Sequence, residues 1–103
     1  MNNDLVKLKK FSQKIRIDIL NMVNDAQSSH IGSCYSIVEI IVSLYCKILH
    51  VDPENLSDVN RDKFLLSKAH GSCALYATLA ELNFFPLENL KKFNNLKILL
   101  CCY

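Results

Sequence analysis

Lys63 to Leu66 is the one convincing strand in this chain, and it runs directly into the polar corner Ser67-Lys68-Ala69-His70-Gly71-Ser72. From Cys73 onward the sequence is rich in Ala and Leu and predicts a helix over Ala74–Leu82. Strand followed by helix is an α/β unit. A parallel sheet, however, needs several strands covered on both faces. A chain of 103 residues with one such strand, and a second only if the tail "NNLKILLCCY" pairs, holds the opening of an α/β domain. The expected fold class is therefore a helix-dominated α/β fragment with one or two strands, in a single domain spanning residues 1–103.

The other helices follow from apolar spacing. Leu5, Leu8, Phe11, Ile15, Ile19, Met22 and Val23 recur at helical intervals in a stretch without Gly or Pro, which predicts a helix over Asp4–Ala26. "QSSHIGSCY", Gln27 to Tyr35, reads as a loop. Ser36 followed by Glu39 reads as a capping box opening the next helix, whose apolar face is Ile37, Ile40, Ile41, Leu44, Tyr45, Ile48 and Leu49. His50 follows, where a protonated imidazole would favour the helix dipole. "VDPENLSDVNRD" reads as a connector, and Pro86 suits the first turn of a short helix, Leu87–Phe93.

Composition narrows the function classes. Twelve basic and ten acidic residues give a net charge of +2, too balanced for a nucleic-acid-binding face. Lys7, Lys9 and Lys10 read as a solvated helical turn. MNNDLVKLKKF has no apolar core of a signal peptide. Ile37–Leu49 is too short to span a bilayer and carries Glu39 and Lys47. These readings point to a cytoplasmic protein without a membrane or nucleic-acid partner. The five cysteines are odd in number and include no CxxC pair, so neither a disulfide framework nor a metal site is suggested. Cys34, Cys46 and Cys73 read as small buried thiols kept reduced.

The corner itself admits two readings. A helix N-terminus presents backbone N–H groups without intrahelical partners, and these suit an anion. His70 adds a donor, and Gly71 lacks the Cβ that would hinder close approach. Alternatively, Ser72 caps the helix and His70 is only its neighbour.

Two stretches together, "SSHIGSCYSIVEIIVSLY" and "RDKFLLSKAHGSCALYATLAEL", resemble the N-terminal part of transketolases. That family has a Ser-Gly-His-Pro-Gly segment and a helix with an Ile-Leu…Leu-Tyr pattern. Arg-Asp-Arg-Phe, a short hydrophobic strand and Ser-Lys-Gly-His-Ala then lead into an Ala-Leu-Tyr-Ala helix. The resemblance covers roughly Ile15 to Phe93, leaving the 94–103 tail divergent.

It implies a thiamine-diphosphate enzyme that moves a two-carbon ketol unit between sugar phosphates. The N-terminal domain would hold the diphosphate and a divalent metal such as Mg2+. His30 matches a histidine that faces the substrate near the thiazolium, and His70 one that approaches the diphosphate and substrate channel. Both are thereby candidate catalytic residues, with His70 and Gly71 as cofactor contacts and no metal ligand assigned.

The chain departs from the family pattern in specific ways. Gly-His-Pro-Gly stands here as Ser29-His30-Ile31-Gly32. Lys-Gly-His-Ala stands as Lys68-Ala69-His70-Gly71, so a left-handed backbone requirement at the first glycine would strain Ala69. The metal-binding Gly-Asp-Gly motif, a histidine that the family carries soon after the Leu90–Phe93 helix, and the pyrimidine-binding domain have no counterpart in the sequence. The expectation is a truncated transketolase-like chain, inactive alone, whose partner is another transketolase subunit or half, or a second copy of itself. The alternatives are a non-catalytic remnant or interaction module, and a piece of another thiamine-diphosphate family such as deoxyxylulose-phosphate synthase.

Overall fold

A computed structural model describes residues 2–26 and 31–92. Among the described residues, four α-helices pack around one core: α1 (Asn2–Ala26), α2 (Ile31–Tyr35), α3 (Val38–Ser43) and α4 (Ser72–Glu81). A π-helical turn, Leu44–Ile48, extends α3. 3-10 turns at Ala69–Gly71 and Leu87–Lys92 precede α4 and close the described chain.

The apolar stripe of α1 does what its spacing predicts. Ile15, Ile19, Met22 and Val23 are buried, Leu8 and Phe11 are half-buried, and Leu5 near the helix start stays exposed. They meet Val38, Ile41 and Val42 of α3 and Cys73, Ala74 and Ala77 of α4 in one continuous core. Ala74, Ala77 and Ala80 let α4 lie close to its neighbours. Thr78, fully buried there, satisfies its hydroxyl on the Ala74 carbonyl at 2.8 Å.

Helix α4 ends in a Schellman motif. Phe84 N–H donates to the Leu79 carbonyl and Asn83 N–H to the Ala80 carbonyl. Asn83 takes the left-handed conformation, φ 69°, that this cap requires. The turn carries Phe84 to Tyr45, whose ring meets it edge-on at 5.9 Å.

Three expectations are corrected. Among the described residues there is no strand; Lys63–Leu66 lacks a partner to pair with. The stretch does alternate, with Phe64 and Leu66 half-buried and Leu65 90% exposed. Phe64 leans on Tyr45 at 6.0 Å. Alternation thus records packing on a helical surface and not a sheet. The tail strand lies outside the described residues.

Second, Ser36 and Glu39 do not form a capping box. The cap of α3 is Ile37, with no side-chain hydrogen bond to it. Ser36 Oγ instead donates to the Ser33 carbonyl at 3.0 Å, and Glu39 pairs with Arg16 across on α1. Third, part of the expected loop is the short helix α2.

The connector folds as a turn-rich loop pinned at its base. His50 N–H donates to the Asp62 carboxylate at 2.7 Å, and Asp62 N–H returns to the His50 carbonyl at 2.8 Å. Asp52 and Asp58 each accept from the backbone two residues on, as Asx turns do.

Ile31–Ile48 reaches a mean hydropathy of 1.5, enough in length and composition to cross a bilayer. Yet the run breaks at the Ser36–Ile37 turn and gives Cys34, Val38, Ile41 and Val42 to the core.

Candidate functional site

The Lys68–Gly71 corner is built by packing against α2. Gly71 is buried, and a Cβ there would stand 2.6 Å from Ile37 Cδ1 and 3.5 Å from the Ser33 carbonyl oxygen. Its backbone angles, φ −96° and ψ 8°, are open to any residue. Gly71 is therefore placed by space and not by a left-handed turn. The left-handed requirement that would have strained Ala69 does not arise, since Asn83 is the only described non-glycine residue with positive φ.

Two further links join the segments. Cys34 Sγ–H donates to the His70 carbonyl at 3.3 Å. Lys68 Nζ donates to Ser36 Oγ at 2.7 Å. Tyr35, the last residue of α2, ties this assembly to α1. Its hydroxyl donates to the Arg16 carbonyl at 3.0 Å, and the Arg16 guanidinium lies over its ring at 5.7 Å.

His70 is exposed on the 3-10 turn and not buried in the core. Lys68 is exposed beside it. The Gly71 N–H is used within the turn, donating to the Lys68 carbonyl at 3.0 Å, so it does not face a ligand. Ser72 is the first helical residue, half-buried, and the cap is Gly71, with no side-chain hydrogen bond at this helix start. Neither sequence reading of the corner holds whole: Ser72 does not cap, and the N–H of Gly71 is not open. What remains outward is a lysine and an imidazole on one exposed corner. That is a cationic, hydrogen-bonding edge suited to an anion such as a phosphate. His30, the other candidate, lies outside the described residues; it directly precedes α2 in the chain. Among the described residues no group of three or more His, Cys, Asp or Glu side chains could hold a metal ion.

Sequence reasoning missed a buried polar cluster between α1 and α4. Glu81, with its side chain 4% exposed, accepts an ion pair from Lys14 at 3.1 Å. Asp18 lies beside it. Burial first, and then Glu81, push the Asp18 carboxyl up to about 7. One buried oxygen of each carboxylate lacks a hydrogen-bond partner. Asp18 also borders a cavity of about 250 Å³ with Asn21, Met22, Asp25, Leu87 and Leu90. The signal was in the spacing: Asp18 sits three residues after Ile15 and four before Met22, on the apolar face.

Residues 8–100 match the transketolase thiamine diphosphate binding domain family. The chain belongs to that family. It is similar to the 6-deoxy-6-sulfo-D-fructose transketolase subunit of Clostridium sp. (strain MSTE9), 35% identical over 94 residues, which are 91% of this chain and 34% of the relative. It is also similar to an apulose-4-phosphate transketolase subunit of Actinobacillus succinogenes, 36% identical over 91 residues, 86% of this chain and 33% of the relative. The transketolase of Aquifex aeolicus is 40% identical over 83 residues, 80% of this chain and 12% of that protein. The chain thus spans about a third of the subunit relatives it matches and far less of the Aquifex protein.

Proposed function

We propose that this chain supplies the diphosphate-facing part of a thiamine-diphosphate enzyme that transfers a two-carbon ketol unit from a ketose phosphate to an aldose phosphate. The observation that supports the reading is the seating of α2 on the Lys68–Gly71 corner through Gly71 and Cys34. It joins in one place the two segments that carry the family resemblance. The outward donors there fit the diphosphate end of the cofactor: Lys68 as a point charge, which the Ser36 oxygen helps to hold, and His70 as a directional donor.

When bound, thiamine diphosphate supplies the carbon centre that stabilises the two-carbon carbanion. The chain's own residues bind and orient. His70 holds a phosphate oxygen or passes a proton to a substrate hydroxyl, tasks open to an imidazole near neutral pH. His30, at the entry to α2, takes the substrate side in this reading. The divalent metal, such as Mg2+, and the pyrimidine ring are held by groups that a complementary subunit or half contributes. The subunit names of two relatives support such a partner. These 103 residues alone are then inactive, and the enzyme they serve works in the cytoplasm on sugars of the pentose phosphate kind.

The test is a calorimetric titration of thiamine diphosphate with Mg2+ into the purified chain. Weak binding that His70→Ala or Lys68→Ala weakens further is the expected result. Binding indifferent to both substitutions sinks the assignment of the corner. A second reading, a non-catalytic interaction module, draws on the exposed Ile17, Leu20 and Ile40. It expects no binding at millimolar cofactor.

A further inference from the structure

The peptide unit between His70 and Gly71 is gripped at both edges. Its carbonyl oxygen, on His70, accepts from Cys34 Sγ–H at 3.3 Å. Its N–H, on Gly71, donates to the Lys68 carbonyl at 3.0 Å. The second grip is local to the 3-10 turn Ala69–Gly71. The first crosses from α2, 36 residues away in the chain. A peptide unit is planar, so two hydrogen bonds on opposite edges fix its tilt. That tilt sets the backbone angle at His70, and with it the direction in which the side chain leaves the corner.

Gly71 lets α2 come near enough for this contact. Ile37 Cδ1 and the Ser33 carbonyl oxygen stand 2.6 and 3.5 Å from where its Cβ would be. Cys34 itself lies in the core at 0% exposure, so water does not compete for its donor. A thiol suits the place, since it packs as a small apolar group and still carries one weak donor.

We propose that Cys34 is a positioning residue for His70: from inside the core it clamps the peptide after His70 and so aims the exposed imidazole at the anion the corner receives. The proposal rests on the reading of His70 as a diphosphate contact, and it adds what holds that contact in place. Cys34, fully buried, acts only through the backbone of His70. A donor already held in its binding direction loses less freedom when the ligand arrives, so the clamp is felt as affinity.

Two substitutions separate clamping from packing. Cys34→Ala removes the donor. Cys34→Ser keeps a donor at the same place but sets a hydroxyl among apolar neighbours. Both lower overall stability, and only alanine leaves the His70 carbonyl without its partner from α2.

The experiment has two arms on the full chain. The first is amide hydrogen exchange by NMR without ligand, with the Gly71 N–H as reporter and the Ala77 N–H, inside α4, as reference. In Cys34→Ala the Gly71 rate should rise about tenfold relative to Ala77, and in Cys34→Ser the ratio should return close to native. The second arm is titration of thiamine diphosphate with Mg2+. Cys34→Ala should weaken binding about 3- to 10-fold, as the loss of one hydrogen bond does, and Cys34→Ser should restore most of it. In a His70→Ala background, Cys34→Ala should cost nothing further. An exchange ratio equal in all three proteins overturns the proposal, and so does a Cys34→Ala loss of binding that persists undiminished once His70 is alanine. The expected Gly71 response beside binding indifferent to His70→Ala supports the clamp and overturns the diphosphate reading instead.

Discussion

Ile37 Cδ1 occupies the space that a side chain on Gly71 would need, 2.6 Å from the position of its missing Cβ. The contact seats α2 and α3 on the start of α4. Since the φ of Gly71 suits any residue, Gly71→Ala brings no backbone strain, and its effect isolates this one steric contact. The far end of a half-buried isoleucine can rotate, at about 0.5–1.5 kcal/mol if it leaves its rotamer. Gly71→Ala is therefore expected to cost about 1 kcal/mol, whereas Gly71→Leu costs roughly 1–3 kcal/mol as overpacking. Ile37→Val removes the clashing methyl. Urea unfolding of both single variants and the double variant should show that Ile37→Val relieves most of the Gly71→Ala cost, a coupling expected only of touching residues.

The Asp18–Glu81 cluster gives the chain a pH dependence with a definite sign. The Asp18 carboxyl is raised from 3.8 to about 7, mainly by burial and then by Glu81. A carboxyl raised on folding favours the protonated native state. Its contribution is fully present below the unfolded value of 3.8 and is lost as pH climbs to about 7. Thermal unfolding of the native chain should fall in midpoint across that interval relative to Asp18→Asn, which keeps the shape and cannot ionise. Asp18 is only partly buried, so solvent screening trims the gap. The expected difference at pH 7.5 is a few degrees, where ~1 kcal/mol corresponds to roughly 4–8 °C in a domain of this size. Parallel curves from pH 4 to pH 8 would remove Asp18 as the cause.

The Lys68 and His70 side chains should separate in their effect on anion binding. Lys68 already spends a hydrogen bond on Ser36 at 2.7 Å, and a flexible ammonium acts as a point charge. His70 projects from a 3-10 turn whose backbone is fixed by Cys34 and by the Gly71 N–H. If the corner receives the diphosphate, His70→Ala should weaken thiamine diphosphate about 10-fold or more, the loss of one charge-assisted hydrogen bond of about 1.5–3 kcal/mol. Lys68→Ala should cost less and lose its effect in high salt. Calorimetry at two ionic strengths distinguishes the pair.

The helices were legible because their signals are local. An unbroken apolar period set α1 to within two residues of its start, and the Ala-rich run set α4. What failed depended on partners far along the chain. Ser36 and Glu39 have the spacing of a capping box, but Arg16 draws Glu39 across to α1 and Lys68 meets Ser36. Both partners lie outside any local window. Lys63–Leu66 carries the alternation of a strand, and what a strand needs beyond alternation is a neighbour. At the site, the types Lys68, His70 and Gly71 were readable. That Gly71 serves to admit Ile37, and that its N–H is consumed inside the turn, required the three-dimensional packing.

The outer face of α1 carries the last prediction. Ile37, Ile41, Leu44 and Ile48 lie on the apolar face that the sequence assigns to the helix after Ser36. The fold buries Ile41 and half-buries Ile37 and Leu44, leaving Ile48 exposed. Val6, Ile17 and Leu20 are exposed instead, Ile17 at 60% and Leu20 at 52%. Their intervals of eleven and three residues put them on one side of the helix. Clustered apolar side chains cost about 25 cal/mol for each Å² left in water, so covering them favours association. The isolated chain is expected to self-associate as its concentration rises. In sedimentation velocity, Ile17→Lys with Leu20→Lys should shift the population to monomer. Because neither side chain enters the core, the midpoint of urea unfolding at low protein concentration should move by less than about 0.5 kcal/mol equivalent. A native chain that stays monomeric across a hundredfold concentration range would show that this face needs no cover.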